Sequence, residues 1–440
     1  MIIGNGRVIT WDRDNPFFEN GGVLVKGALI EKVGDFRELK ELYPDEEIVD
    51  VAGRLIMPGM INMHTHIYSA FARGLNLGKP TPDFMKILEN MWWHIDKRLT
   101  LEDTRYSAYG TLAESIRLGV TTVVDHHASP FHIRDSLFTI GEAARELGVR
   151  ASLCYETSDR DGIEAAEEGI RENIEFIKAC RKDGGSMLKG MFGMHASFTL
   201  SDSTLEKARS EMDGLDSGYH IHVAEGIDDE ILCERDHGKR VVERLEGFGI
   251  LSDKSLAIHC VHADDNELGI LKSTNCNVIH NPESNMGNAV GTSPVVKMMG
   301  MGIKVGLGTD AYTNDMFESL KVSKILQSHA LKDPQVGFME AFRMQFENNR
   351  DIAGRIFGAE LGILRENACA DIITLDYDPL TPMNGNNLAG HVIFGMSGYQ
   401  VRDTMINGRF VMKDRIITTI DLEKTMAKSR EVSRRLWDRL

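Results

Sequence analysis

The rhythm of apolar and polar positions changes twice along the chain. Up to about residue 57 the apolar residues come in short runs, IIGNGRVITW, GGVLVKGALIEKVGD and EEIVDVAGRLIMP, rich in β-branched residues and punctuated by Gly and Asp. Such runs predict short strands joined by turns. The only helical spacing here lies near Glu38 to Tyr43. From residue 58 to about 310, eight apolar runs follow one another: MPGMINMHTH, VTTVVDHH, VRASLCYE, LKGMFGMHA, YHIHVAE, SLAIHCVH, CNVIHNP and IKVGLGTD. Several are separated by stretches with helical spacing, such as Leu101 to Leu118, Ile140 to Leu147 and Ile163 to Ile177. Strands alternating with helices imply parallel strands and crossovers, and eight such units predict a closed barrel. Beyond about residue 358 short strands return in ACADIITLDYD and HVIFGMSGYQVRDTMINGRFVMKD.

The pattern therefore predicts an α/β protein: a distorted TIM (β/α)8 barrel with a small β-sandwich domain built from both chain termini. The expected divisions are residues 1–57 and 359–420 for the composite β domain and 58–358 for the barrel. A charged C-terminal helix, 421–440, is expected to pack on the surface or on a partner subunit. The chain's 440 residues exceed the usual single-core size, as a barrel with an accessory domain does.

Charge narrows the partners. A formal net charge of −16 repels nucleic-acid backbones and anionic membranes, so neither is an expected partner. The six cysteines are scattered with no CxxC pair, which predicts buried free thiols. No basic region followed by an apolar core opens the chain, and no run of about 18 apolar residues occurs. A cytoplasmic protein is expected.

Each of the eight runs carries His, Glu or Asp at or near its C-terminal end, the end at which barrels of this type build active sites. His64 and His66 stand two apart, so strand alternation sends both side chains to one face. Paired imidazoles suit a borderline metal such as zinc, although HTH alone also reads as a polar turn. YHIHVAEG supplies His220, His222 and Glu225, with His220 one layer deeper and structural. SLAIHCVH supplies His259 and His262. Asp310 ends GLGTD, where it is either a ligand reached past two glycines or the N-cap of the next helix. His126 and His127 are adjacent and cannot both face inward. His280 either reaches the barrel mouth or makes a structural hydrogen bond. His94, His132, His237, His329 and His391 have no companion pattern and read as surface or loop.

In that order, PGMINMHTH, HVAE, HCVH, HNPESNM and GTD resemble the amidohydrolase superfamily, and within it the aminohydrolases and chlorohydrolases that act on heterocycles. DHHASP, the pair Trp92-Trp93, SNMGN, GTDAYTNDMFE and AGHVIFGM resemble one branch of those enzymes whose substrate the likeness does not supply. The resemblance implies that His64, His66, His222 and Asp310 ligate one divalent metal, zinc or alternatively iron. Glu225 is then the acid/base, and His259 and Asp310 orient the nucleophile. His195 touches substrate. No lysine near His195 matches the bridging ligand of two-metal members, which implies a mononuclear site. In WWHIDKRLT, Asp96 stands where nucleoside deaminases of the superfamily carry Glu. Phe71, Trp92, Trp93, Tyr155 and Phe198 are candidate stacking residues for a planar ring. The implied partner is a small-molecule heterocyclic substrate, and the implied reaction is hydrolytic deamination of a cyclic amidine. The alternatives are hydrolysis of a cyclic amide or a C–Cl bond, or a catalytically silent scaffold, which would have lost ligands that are all present here. Related barrels are commonly oligomeric, so a homo-oligomer is expected.

Overall fold

The computed structural model describes all 440 residues. Five strands open the chain: β1 (Ile2–Ile9), β2 (Phe17–Lys26), β3 (Leu29–Asp35), β4 (Ile48–Asp50) and β5 (Leu55–Pro58). The barrel follows: β6 (Met60–Thr65), β7 (Val120–His127), β8 (Arg150–Tyr155), β9 (Leu188–Gly190), β10 (Phe192–Ala196), β11 (Tyr219–Val223), β12 (Leu256–His259), β13 (Asn277–His280) and β14 (Val305–Leu307). The chain ends in β15 (Ile372–Leu375), β16 (Val401–Ile406), β17 (Arg409–Lys413), β18 (Ile416–Ile417) and a helix, Leu422–Trp437.

All neighbours from β6 to β9 and from β10 to β14 pair in parallel. Only Met191 separates β9 from β10, so together they occupy one staves' place in the barrel. A parallel bridge between Thr65 and Asp310 closes the seam, and one between Thr157 and Met194 spans the break. The eight apolar runs of the sequence are the eight staves. The terminal strands form one mixed sheet in the order β18-β17-β16-β15-β5-β1-β2-β3, with β4 beside β1. The two chain ends meet where β5 pairs antiparallel with β15, Leu55 opposite Leu375. Only Gly59 separates β5 from β6, and a side chain there would come within 2.2 Å of Thr121.

The largest cluster of buried apolar residues lies chiefly between the barrel and its helices. A second joins Ile61, Met63, Val124, Cys154, Ile258 and Ile279 from five strands to the helix Asn349–Phe357. The C-terminal helix packs on its own chain. Val432 and Leu436 join Tyr68, Phe71, Ile95 and Leu99, and the Trp437 indole donates to the Phe71 carbonyl at 2.7 Å. All six cysteines are free and buried. No helix is long and apolar enough to cross a membrane. Among the unpaired histidines of the sequence reading, His391 is the exception to surface placement: it is buried, with Nδ1 2.8 Å from the Tyr377 hydroxyl.

One buried ion pair ties the barrel to the terminal sheet. Arg150 at the start of β8 donates from Nε and Nη2 to both oxygens of Asp371 at 3.1–3.2 Å, and Asp371 also accepts from the Asn407 amide at 2.7 Å. Neither side chain reaches solvent appreciably. Removing one partner strands a charge in the interior, at a cost of about 3–5 kcal/mol. Asp371→Ala is expected to lose that much stability in urea unfolding followed by circular dichroism; a loss below about 1 kcal/mol would mean that the surroundings rehydrate Arg150.

Candidate active site

The strand ends deliver their polar residues to one point. His64 lies on β6 and His66 just past it, His222 on β11, His259 at the end of β12 and Asp310 just past β14. His66 Nε2 is 3.3 Å from His222 Nε2 and 3.3 Å from Asp310 Oδ1, and His64 Nε2 is 3.8 Å from the same oxygen. His259 Nε2 lies 3.4 Å from Glu225 Oε2 and 3.5 Å from Asp310 Oδ2. All are buried.

Local backbone geometry makes this convergence possible. Ala224, His259, Cys260 and Asp310 all have positive φ, at 46°, 72°, 49° and 57°. Left-handed non-glycine residues store strain and cluster where a chain must be re-aimed. Gly308 lets the strand press against β6, since a side chain there would lie 2.8 Å from the His64 amide. Asp310 is not a helix cap. That task falls to Asp315, whose carboxylate accepts from the Phe317 and Glu318 amides.

The hydrogen bonds decide which ring nitrogens are free. His66 Nδ1 donates to the His126 carbonyl at 2.7 Å and His222 Nδ1 to the His195 carbonyl at 2.8 Å. Each bond fixes a proton on Nδ1 and turns Nε2, the atom a metal would take, toward the centre. His64 Nδ1 is 2.8 Å from His220 Nε2, and His64 Nε2 is buried without a partner. Ring nitrogens crowded around a carboxylate, one of them buried without a partner, are a donor set that a cation would complete. Three imidazoles and one carboxylate suit a divalent metal of zinc or iron type. His259 differs: Asn285 Nδ2 donates to its Nδ1 at 2.8 Å, which puts the hydrogen on Nε2, facing Glu225 and Asp310. Its ring is a donor toward the centre.

Charge states follow from burial and neighbours. Burial lowers His64 and His222 well below the ordinary imidazole value and His259 and His195 to about 4, so all four are neutral. For His66 burial works the same way, but the hydrogen bond to Asp310 outweighs it and raises the ring to about 9. Burial and the Asp310 charge push the Glu225 carboxyl well above the usual carboxylate range. Asn288 donates to Glu225 Oε1 at 3.2 Å and holds it in place.

Above this cluster opens a cleft. Its walls include Trp92, Trp93, Asp96, His195, Phe198, Glu225 and Asp310, which brings His195, Trp92 and Asp96 of the expected substrate contacts to the cleft. Of the five aromatic candidates, Trp92, Trp93 and Phe198 line it; Phe71 and Tyr155 are core residues, buried against the C-terminal helix and the helix Ile163–Asp183. His280 is buried and absent from the walls, and His262 donates to the Val290 carbonyl at 2.8 Å. His126 faces inward and supports His66, while His127 turns to Ser129, as adjacency required. The sequence reading passed over Glu156, Arg160, Asn285 and Asn288. Glu156 carried a signal, since it ends the third barrel run as His, Asp or Glu ends the others.

A model of the amidohydrolase family matches residues 55–411. The chain belongs to that family. It is 30% identical to the 5-methylthioadenosine/S-adenosylhomocysteine deaminase of Syntrophomonas wolfei over 99% of each chain. It is 31% identical to the 5'-deoxyadenosine deaminase of Methanopyrus kandleri, again over 99% of each. Its fold matches a zinc-bound adenosine deaminase from Xanthomonas campestris with a TM-score of 0.86 at 21% identity, covering 99% of this chain and 98% of that one. The family read from PGMINMHTH, HVAE, HCVH, HNPESNM and GTD is the family found.

Metal uptake through His66 would have to displace the proton that Asp310 holds on its ring. With a value of about 9 in the metal-free protein, the ring is protonated at pH 7.5, and a cation needs the lone pair that the proton occupies. Adding zinc to metal-free protein in weak buffer should release close to one proton per site, and affinity should rise with pH until about 9. Zinc binding with no proton release would mean that His66 is already neutral or is not a ligand, and either result overturns this account.

Proposed function

We propose that this amidohydrolase removes an exocyclic amino group from a small aromatic heterocycle, with water as co-substrate and ammonia as product. The observation that carries the reading is the placement of Glu225: one buried carboxyl, held by Asn288, within 3.4 Å of the His259 donor and beside the imidazole-carboxylate cluster. His64, His66, His222 and Asp310 would hold the metal, for which zinc is the first choice and iron the second. When bound, that ion supplies a Lewis acid that brings the pKa of water toward ~7.

The protein's residues do the rest. A cation held beside Glu225 would offset the burial and the Asp310 charge that raise its carboxyl, leaving it ionised. Glu225 then accepts one proton from the attacking water and delivers it to the ring nitrogen beside the amino-bearing carbon, and afterwards takes the proton of the new hydroxyl and passes it to the departing amine, which leaves as ammonia. The His259 N–H faces the same region and stabilises negative charge developing on oxygen. Trp92, Trp93 and Phe198 supply apolar surface for a planar ring, with His195 at its edge. Both relatives above are named as deaminases, which supports loss of an amine over ring opening or dechlorination.

Purified enzyme should release ammonia from at least one member of a panel of purines, pterins, pyrimidines and triazines. Hydrolysis without ammonia would remove the deaminase reading and leave a cyclic amide or C–Cl bond as the target. Glu225→Gln should retain one metal per chain by elemental analysis and lose roughly 100- to 10,000-fold in kcat. Full activity in that variant would end its role as proton carrier. Elemental analysis of protein prepared without added metal separates zinc from iron.

A further inference from the structure

The cleft wall beside the metal cluster holds a second buried arrangement. Arg160 follows β8 and is only 9% exposed. Its Nη2 pairs with Asp96 Oδ2, and its Nε lies 3.2 Å from Asp161. Glu156 Oε1 is 3.6 Å away, and Lys97 neutralises Asp161 at 2.8 Å. The guanidinium lies over the Trp93 ring at 5.2 Å. Asp96, 1% exposed, sits on the short helix Trp93–Asp96 that carries this tryptophan.

The Arg160–Asp96 pair is end-on. A guanidinium and a carboxylate that serve only each other close side-on, two nitrogens to two oxygens. Here one atom of each is used. Arg160 Nη1 and Asp96 Oδ1 are buried with no partner, and both residues line the cleft. An unmet buried polar atom costs about 1–3 kcal/mol, more when charged, so a free donor beside a free acceptor needs an explanation.

We infer that Arg160 and Asp96 together read a lactam edge of the substrate, a ring carbonyl next to a ring N–H, and that Trp93 supports the same ring. The inference rests on the proposed small-heterocycle site and names its substrate class: amino-oxo heterocycles such as 2-amino-4-oxopyrimidines and their fused-ring relatives. Nη1 donates to the carbonyl and Oδ1 accepts from the N–H. The location favours a ring edge over a sugar. Trp93 lies 5.9 Å from the His195 ring, which lies 5.8 Å from His222 of the metal cluster. Arg160 Nη2 lies 3.6 Å from Glu156 Oε1, and that oxygen lies 3.9 Å from His195 Nε2, so the pair sits at the reacting end of the cleft, where a ring edge beside the Trp93 ring is better placed than a sugar.

The test compares matched compounds that differ only in this edge: guanine with 2-aminopurine, and isocytosine with 2-aminopyrimidine. Binding is measured by calorimetry on zinc-loaded Glu225→Gln, which avoids turnover, and then with Arg160→Met or Arg160→Lys added. The lactam member of each pair should bind roughly 10- to 100-fold more tightly, the worth of hydrogen bonds to charged groups. Arg160→Met should bring each pair within about threefold. Arg160→Lys keeps a cation among the carboxylates and should also lose most of the preference, because lysine lacks the planar fork. Circular dichroism and zinc content check that both variants are folded. Equal binding within a pair, a preference that survives Arg160→Met, no binding of either lactam compound at millimolar concentration, or adenosine binding more tightly than guanine would each overturn the inference. Ammonia release is scored separately with the Glu225 enzyme. Lactam preference without ammonia removes the deaminase reading and leaves this one; ammonia from adenosine regardless of Arg160 does the reverse.

Discussion

Everything at the mouth of the barrel depends on one constraint: imidazole lone pairs and an ionised carboxylate are held together where water cannot separate them. His66 and His222 nitrogens stand 3.3 Å apart, and the Asp310 carboxylate holds the group together by keeping a proton on His66. A divalent cation would take that proton's place among the same atoms. The neighbouring atoms fit that account. The carbonyls of His126 and His195 exist at those positions to set tautomers, while Asn285 sets the opposite tautomer on His259 and makes it a donor.

Holding such a cluster requires stiff supports. The left-handed backbone at Ala224, His259, Cys260 and Asp310 is unfavourable locally and persists because packed strands on either side determine it. The C-terminal helix presses the loop after β6 into place through Tyr68 and Phe71. At the other end of the barrel, Arg150 and Asp371 lock the terminal sheet to β8. The small sheet is therefore a brace: β5 runs into β6 through a single glycine, so its position sets that of His64 and His66.

The parts legible in the sequence are those governed by short-range periodicity. Apolar runs ending in polar residues mark the barrel strands because a parallel strand is buried on both faces and only its end meets the cleft. His64, His66 and His222 are legible because alternation fixes their facing, and Asp310 because Gly308 and the five ordered motifs point to it. Residues whose role depends on packing between distant segments were not legible. Arg160 looks like a loop cation until Asp96, 64 residues earlier, folds against it. Phe71 and Tyr155 resemble Trp92 and Phe198 in sequence, and only the docking of helices decides which aromatic faces the cleft. His391 reads as a surface residue because nothing near it announces that Tyr377 will cover it.

This division of legibility is also a division of labour. The cluster that does chemistry is carried by the ends of β6, β11, β12 and β14, elements that cannot shift without opening the barrel. The wall that meets the rest of the substrate is carried by the segments after β6 and β8, through Trp92, Trp93, Asp96 and Arg160. Rigid elements preserve a reaction class while loops vary what is bound. A chain about 30% identical to nucleoside deaminases can therefore keep their chemistry and still differ in what it grips. The buried cation at Arg160 bears directly on that difference, because a carboxylate already committed to a guanidinium offers a substrate one oxygen and a neighbouring N–H in place of two free oxygens.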